Sequence, residues 1–144
     1  MDTKPLRVAI VGASGYTGAE LVRLLADHPG VTLVALTGDR KAGQPLNEVF
    51  PHLTQGAGGR FPGRLVSTDE VAWNAVDVAF LGLPHGAAQD LCLGLPPSVR
   101  VIDLSPDFRF ADPAVYTQWY GLTHKAPELQ KQAVYGLTEF ARER

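Results

Sequence analysis

Arg7-Val8-Ala9-Ile10-Val11-Gly12-Ala13-Ser14-Gly15-Tyr16-Thr17-Gly18 is the stretch that decides the fold of this 144-residue chain. Four apolar residues in a row, mostly β-branched, read as a strand buried on both faces. The residues after the glycines run at helical period, with Gly18, Leu21, Val22 and Leu25 on one face and Glu20, Arg23 and Asp27 on the other. A strand, a glycine-rich turn and a helix form the first step of a nucleotide-binding sheet. In such a turn one glycine permits the tight bend, one lets backbone N–H groups approach a pyrophosphate, and one lets the helix pack close to the strand. The helix N-terminus then presents partial positive charge to the phosphates. Gly12, Ser14, Gly15, Tyr16, Thr17 and Gly18 are therefore the candidate phosphate cradle. The G-x-x-G-x-x-G spacing is a variant of the usual fingerprint, and the plainer alternative is an ordinary glycine turn.

Outward from that stretch, His28-Pro29-Gly30 ends the helix, and residues 31–37 read as a second buried strand. Thr37 and Gly38-Asp39-Arg40-Lys41 close it, about 20 residues past the glycine turn, where dinucleotide folds meet the adenosine ribose. An acid there accepts from a 2′-hydroxyl, whereas two cations neutralise a 2′-phosphate. Arg40 and Lys41 favour NADP, against the alternative of an exposed charged turn.

Residues 42–63 are dense in proline and glycine and read as a long surface connection over the cofactor, with one helical turn at Leu46-Asn47-Glu48-Val49-Phe50. Leu65-Val66-Ser67 reads as a short strand, with Thr68 or Asp69 capping a helical turn through Trp73. Residues 76–82 are a central strand, followed by the loop Leu83-Pro84-His85-Gly86 and a helix whose inner face carries Ala88, Leu91, Cys92 and Leu95. Cys92 there behaves as a small hydrophobe, the alternative being a reactive nucleophile. Pro96-Pro97 stops that helix, and residues 100–104 form a further strand ending in Ser105-Pro106-Asp107-Phe108-Arg109.

Alternating strands and helices in this order specify an α/β fold: a doubly wound, mostly parallel Rossmann-type sheet with helices on both faces. Ligand contacts in such a sheet gather beyond the strand carboxyl ends, where Ser14, Arg40, Leu83, Pro84, His85 and residues 105–109 are expected in one crevice. The last third is rich in aromatics: Tyr116, Trp119, Tyr120 and Tyr135. It carries a helical turn from Pro127-Glu128, a short strand at Val134-Tyr135-Gly136 and a helix capped by Thr138. That helix is cut off at Arg144, so the chain reads as a fragment.

Composition narrows the function. Apolar residues make up 45% and charged residues 19%, a globular balance, and the net charge of −2 argues against a nucleic-acid partner. A single cysteine excludes both an internal disulfide and a cysteine-pair metal site. No apolar run reaches membrane-spanning length and no signal-peptide pattern is present, which reads as no membrane partner and a cytoplasmic protein.

Several segments together resemble a known family. Residues 11–18, Leu83-Pro84-His85-Gly86, Ile102-Asp103-Leu104-Ser105 with Asp107-Phe108-Arg109, Tyr120-Gly121 with His124 and Pro127-Glu128-Leu129, and Val134-Tyr135-Gly136-Leu137 are similar to N-acetyl-γ-glutamyl-phosphate reductases of arginine biosynthesis. The pattern departs at Pro106, Thr138 and Gly38-Asp39. The resemblance implies NADPH-dependent reduction of an acyl phosphate to an aldehyde, through a cysteine thioester and a histidine acid–base. It places both of those groups beyond Arg144, so residues 1–144 form an NADP-binding domain with no catalytic residue and no metal site, lacking the catalytic and dimerisation domain. It also implies a small acyl-phosphate substrate and a homo-oligomeric full-length protein. His85 matches a loop near the nicotinamide, the alternative being a solvated histidine. Ser105 and Arg109 match substrate-side positions, the alternative for Arg109 being a structural tie to an aspartate. Two other functions stay open: a lysine-pathway reductase of carrier-bound aminoadipyl phosphate, and a non-catalytic NADP-binding module.

Overall fold

Strand β1 (Leu6–Val11) lies inside a four-stranded sheet of order β2-β1-β3-β4, with β2 at Val31–Leu36, β3 at Val78–Leu81 and β4 at Arg100–Asp103. The structure is a computed structural model that describes residues 4–53 and 61–136. β1 pairs in parallel with β2, from Leu6↔Val31 to Ile10↔Leu36, and with β3, from Val8↔Val78 to Val11↔Leu81. Val8, Ala9, Ile10 and Val11 are all buried, as a strand with a neighbour on each side and cover on both faces must be. The Rossmann-type α/β reading of the sequence is what the structure has.

β2 differs from expectation. Thr32 and Val34 are exposed while Leu33, Ala35 and Leu36 are buried, because β2 ends the strand order and its outward face meets solvent. Residues 65–67 form no strand. They make a parallel bridge, Thr37↔Val66, and the flanking Arg64 makes an antiparallel one with Pro45.

Helix α1 (Tyr16–Leu25) packs on β1 and β2 through Gly18, Ala19 and Val22. The connection after β2 is not merely superficial. Its short helix α2 (Leu46–Val49) buries Leu46, and Leu53 and Leu65 join the same core. Each such leucine contributes about 1.5–3 kcal/mol by leaving water, enough to anchor a segment otherwise rich in turn residues. Residues 54–60 of this connection lie outside the described residues. The expected cap at Thr68 or Asp69 is instead Ser67, which shares a reciprocal capping box with Glu70 ahead of a 3-10 turn at Thr68–Glu70.

The chain forms two compact units, Met1–Gly82 with Pro96–Ile102, and Leu83–Leu95 with Asp103–Arg144. The second contains α3 (Ala87–Gly94), α4 (Pro113–Tyr120) and α5 (Pro127–Gln130). α4 turns the aromatic stretch into a helix: Asp112 accepts from Ala114 N–H at 2.8 Å, Pro113 opens the first turn, and Gly121 ends it at φ 67°. Val134-Tyr135-Gly136 is not a strand; those residues are exposed and irregular. The helix expected after Thr138 lies outside the described residues.

Candidate functional site

The glycine turn is closed by main chain. At Gly12, φ is 81° and a Cβ would stand 2.4 Å from the Gly82 carbonyl oxygen. A Cβ on Gly18 would likewise come within 2.4 Å of the Gly12 carbonyl oxygen. These two glycines are required by the fold itself. Gly15 is different: it is exposed, its φ is −93°, and its Cβ would meet nothing nearer than Gly12 O at 3.5 Å. The protein leaves room there.

Gly15 is the N-cap of α1, and it brings no side-chain cap and no acidic residue in the first turn. The leading N–H groups of a helix have no partner within it, so this end offers donors and positive potential to an anion. Tyr16 and Thr17 are exposed beside it, and Ser14 is half-buried against Gly38.

Thr37 follows β2 directly. It is buried, and its Oγ1 accepts from Gly12 N–H at 3.3 Å while its carbonyl accepts from Ala13 N–H at 2.7 Å. It braces the glycine turn from behind. Beyond it, residues Asp39–Lys41 make a 3-10 turn. Arg40 is exposed and Lys41 half-buried, and neither joins an ion pair among the described residues. Asp39 is engaged: its Oδ1 accepts from Thr68 N–H at 3.2 Å and from Thr68 Oγ1 at 3.1 Å.

The second unit is organised around Asp107, which the sequence reading placed among the loop residues 105–109 expected at the crevice, with no partner of its own named. Its carboxyl group is fully buried. Oδ1 accepts from Gly86 N–H at 2.8 Å and from the Tyr116 hydroxyl at 2.9 Å. Oδ2 accepts from Ala88 N–H at 3.1 Å and Gln89 N–H at 3.4 Å. Asp107 thus caps α3 from a distant loop, occupying with its own chain the helix end that α1 leaves open. The Leu83-Pro84-His85-Gly86 loop holds no spare helix-end donor at Gly86. Leu83 is half-buried and Pro84 and His85 are exposed, the His85 ring standing edge-on to Tyr120 at 5.0 Å.

Burial, together with the Asp107 carboxylate, pushes the Tyr116 phenol up to about 12. His124 completes the cluster. Ala126 N–H donates to its Nδ1 at 3.2 Å, so Nε2 carries the proton and donates to the Asp107 carbonyl at 3.0 Å.

Ser105 is held within its own loop. Its N–H and Oγ donate to the two Asp103 oxygens, each at 2.8 Å, and its Oγ accepts from Asp107 N–H at 3.2 Å. Burial raises the Asp103 carboxyl above its ordinary range. Among the described residues Arg109 is tied to no aspartate: Nη1 donates to Tyr120 Oη at 3.3 Å, and its guanidinium lies 5.9 Å from the Tyr135 ring centre. Cys92 is half-buried, and burial, with Asp103 and Asp107 adding, pushes its thiol up to about 11. Among the described residues no His, Cys, Asp and Glu group could hold a metal, and no helix is long and apolar enough to cross a membrane.

A parallel β-turn-α unit whose helix N-terminus is left open defines a nucleotide-binding domain of the Rossmann class. The model of the semialdehyde dehydrogenase NAD-binding domain matches residues 7–144, and the chain belongs to that family. Curated relatives include proteins of Jannaschia sp. strain CCS1, 58% identical over 95% of this chain, and Rhodospirillum rubrum, 57% identical over 95%. A third, from Paracoccus denitrificans, is 55% identical over 96%. All three are named N-acetyl-γ-glutamyl-phosphate reductase, and the chain spans 39% of the length of each. Among solved structures, the NADP complex of aspartate semialdehyde dehydrogenase from Candida albicans aligns with a TM-score of 0.58 at 22% identity, covering 74% of this chain and 31% of that one. Aspartate semialdehyde dehydrogenase II from Vibrio cholerae, complexed with ASA, aligns at 0.52 and 24% identity, covering 75% and 30%. These two share the fold.

Proposed function

We propose that this chain is the NADP(H)-binding part of an arginine-pathway reductase that converts N-acetyl-L-glutamyl 5-phosphate to N-acetyl-L-glutamate 5-semialdehyde with release of phosphate. The observation that carries the cofactor reading is the contrast between two helix ends. α3 is capped by Asp107, whereas α1 has neither cap nor acid and has space at Gly15. The residues fit a dinucleotide: the N–H groups of Tyr16 and Thr17 hold the pyrophosphate where Gly15 leaves space, Gly12 and Gly18 shape the turn, and Ser14 flanks it. Arg40, with Lys41, neutralises the 2′-phosphate, and Thr37 positions the turn. Bound NADPH supplies the hydride. His85, with Leu83, Pro84 and Gly86, belongs to the nicotinamide side of this reading. Arg109 is the exposed cation for the substrate's anionic groups, with Ser105 keeping that loop in shape.

The name shared by the relatives supports N-acetylglutamyl over aminoadipyl phosphate, and a reductase over a binding module. Residues 1–144 are then the cofactor domain of a longer, cytoplasmic, homo-oligomeric protein whose remaining part supplies the reacting cysteine and histidine. Calorimetric titration with NADP+ and NAD+, and phosphate-dependent reduction of NADP+ by N-acetylglutamate semialdehyde catalysed by the full-length protein, test the two halves of the proposal. Tighter binding of NADP+ and phosphate-dependent turnover are expected. Equal affinities overturn the cofactor half, and no turnover with this aldehyde overturns the substrate half.

A further inference from the structure

The turn after β2 carries groups of opposite meaning: Asp39, suited to a ribose 2′-hydroxyl, and Arg40, suited to a 2′-phosphate. We infer that Thr68 sets cofactor specificity by holding the Asp39 carboxylate away from the ribose, which leaves the turn to Arg40. The inference rests on the NADP reading above and deepens it.

Its basis is the way residues 64–70 are fastened beside the end of β2. Val66 N–H donates to Leu36 O at 3.0 Å and Gly38 N–H to Val66 O at 3.1 Å, so Thr68 arrives beside Asp39 at a set register. The 3-10 turn that begins at Thr68 is shaped in advance, because Glu70 Oε2 accepts from Ser67 N–H at 2.7 Å and Ser67 Oγ at 2.9 Å. From this base Thr68 donates twice to Asp39 Oδ1, through N–H at 3.2 Å and Oγ1 at 3.1 Å. A hydroxyl has one proton, and the carboxylate is the stronger acceptor. Thr68 Oγ1 also lies 3.5 Å from Thr37 Oγ1, which itself accepts from Gly12 N–H. With the Thr68 proton on Asp39, the Thr37 hydroxyl is left to donate to Thr68. The result is one polar line from the glycine turn, through two threonines, to Asp39. The residue that braces the phosphate turn thereby also orients the residue that restrains the acid.

The test compares dissociation constants for NADP+ and NAD+ in the full chain and its variants. Thr68→Val keeps the shape and removes the hydroxyl, and the NADP+ preference should fall by roughly fivefold to tenfold as Asp39 gains freedom to meet a 2′-hydroxyl. Thr68→Ser keeps the hydroxyl and should keep the preference. In an Asp39→Ala background, Thr68→Val should no longer change the ratio, a result that a merely structural role for Thr68 would not give. A preference that is lost in Arg40→Ala but untouched by Thr68→Val overturns this inference and leaves the NADP reading standing. A Thr68→Val shift that persists without Asp39 also overturns it. Wild-type protein that does not discriminate between the cofactors overturns both.

Discussion

Tyr116 and Asp107 meet in the centre of the second unit, the phenol donating to Oδ1 at 2.9 Å with both residues fully buried. Removing only the hydroxyl, in Tyr116→Phe, leaves the carboxyl group three N–H donors and should cost about 1–3 kcal/mol. Asp107→Ala strands those N–H groups and the phenol together, and should cost about 3 kcal/mol or more. Urea unfolding is the measurement, and a loss below about 1 kcal/mol for Asp107→Ala would contradict the hub.

The glycines of the first turn should separate by experiment. Gly12→Ala and Gly18→Ala drive a Cβ into backbone at 2.4 Å and should lose the folded circular dichroism spectrum. Gly15→Val should keep that spectrum and lose dinucleotide binding, because space is present and only a ligand forbids the side chain. Normal affinity in a folded Gly15→Val protein would place the phosphates elsewhere.

Arg40→Ala removes the exposed cation of the ribose turn. A charge-assisted contact of about 1.5–3 kcal/mol corresponds to roughly tenfold to a hundredfold weaker NADP+ binding, with NAD+ binding little changed. Equal losses for both cofactors would assign Arg40 to the shared phosphates instead.

Cys92, with its thiol pushed up to about 11, should resist alkylation by iodoacetamide at pH 8 while the unfolded chain reacts readily. Cys92→Ala should leave cofactor affinity unchanged, and likewise turnover when made in the full-length protein. The same shift sets a sign. In the unfolded chain the thiol ionises near pH 8.5–9, roughly two units below its folded value. Stability is therefore fully present below about pH 8.5 and falls as pH rises toward 11, and Cys92→Ala should soften that alkaline loss.

On the acid side the sign reverses. Hydrogen bonds from the Arg7 side chain and N–H hold the Asp77 carboxyl well below the usual carboxylate range. That contribution is present above about pH 4 and is lost as pH falls toward the folded value. Urea midpoints for Asp77→Asn should be lower than wild type at pH 7, with the gap narrowing progressively as pH falls below about 4. A gap that stays constant would remove the pair from the acid transition.

The first β-turn-α unit was legible because its information is local: a buried run, glycines and a helical period fall within one short stretch. β2 was over-read as buried, since the exposure of Thr32 and Val34 follows from the strand order and not from residues 31–37 themselves. α4 was signposted by Asp112-Pro113 at one end and Gly121 at the other, a signal masked by attention to its aromatic content. Asp107 and Thr68 had no comparable signal. Asp107 finds its carboxyl partners 9 to 21 residues away, and Thr68 reaches Asp39 across 29 residues. Contacts of that kind exist only once the chain has turned back on itself. Arg40, Lys41 and Thr37 were singled out because a position just after this strand has a fixed meaning in dinucleotide folds, and Thr37 is seen to accept from Gly12 N–H.

A Cβ on Gly12 would strike the Gly82 carbonyl oxygen and one on Gly18 the Gly12 carbonyl oxygen, so neither of these two glycines has room for a side chain. Variation at Gly12 and Gly18 is thus closed to adaptation: a substitution there has no intermediate outcome between the original turn and a broken one. The ribose turn is under no such restriction, because Arg40 is exposed and, among the described residues, Asp39 is restrained by the side chain and N–H of Thr68. On the proposed reading, a library built on this domain would explore new cofactors by altering residues 39, 40 and 68 while keeping the glycine turn unchanged.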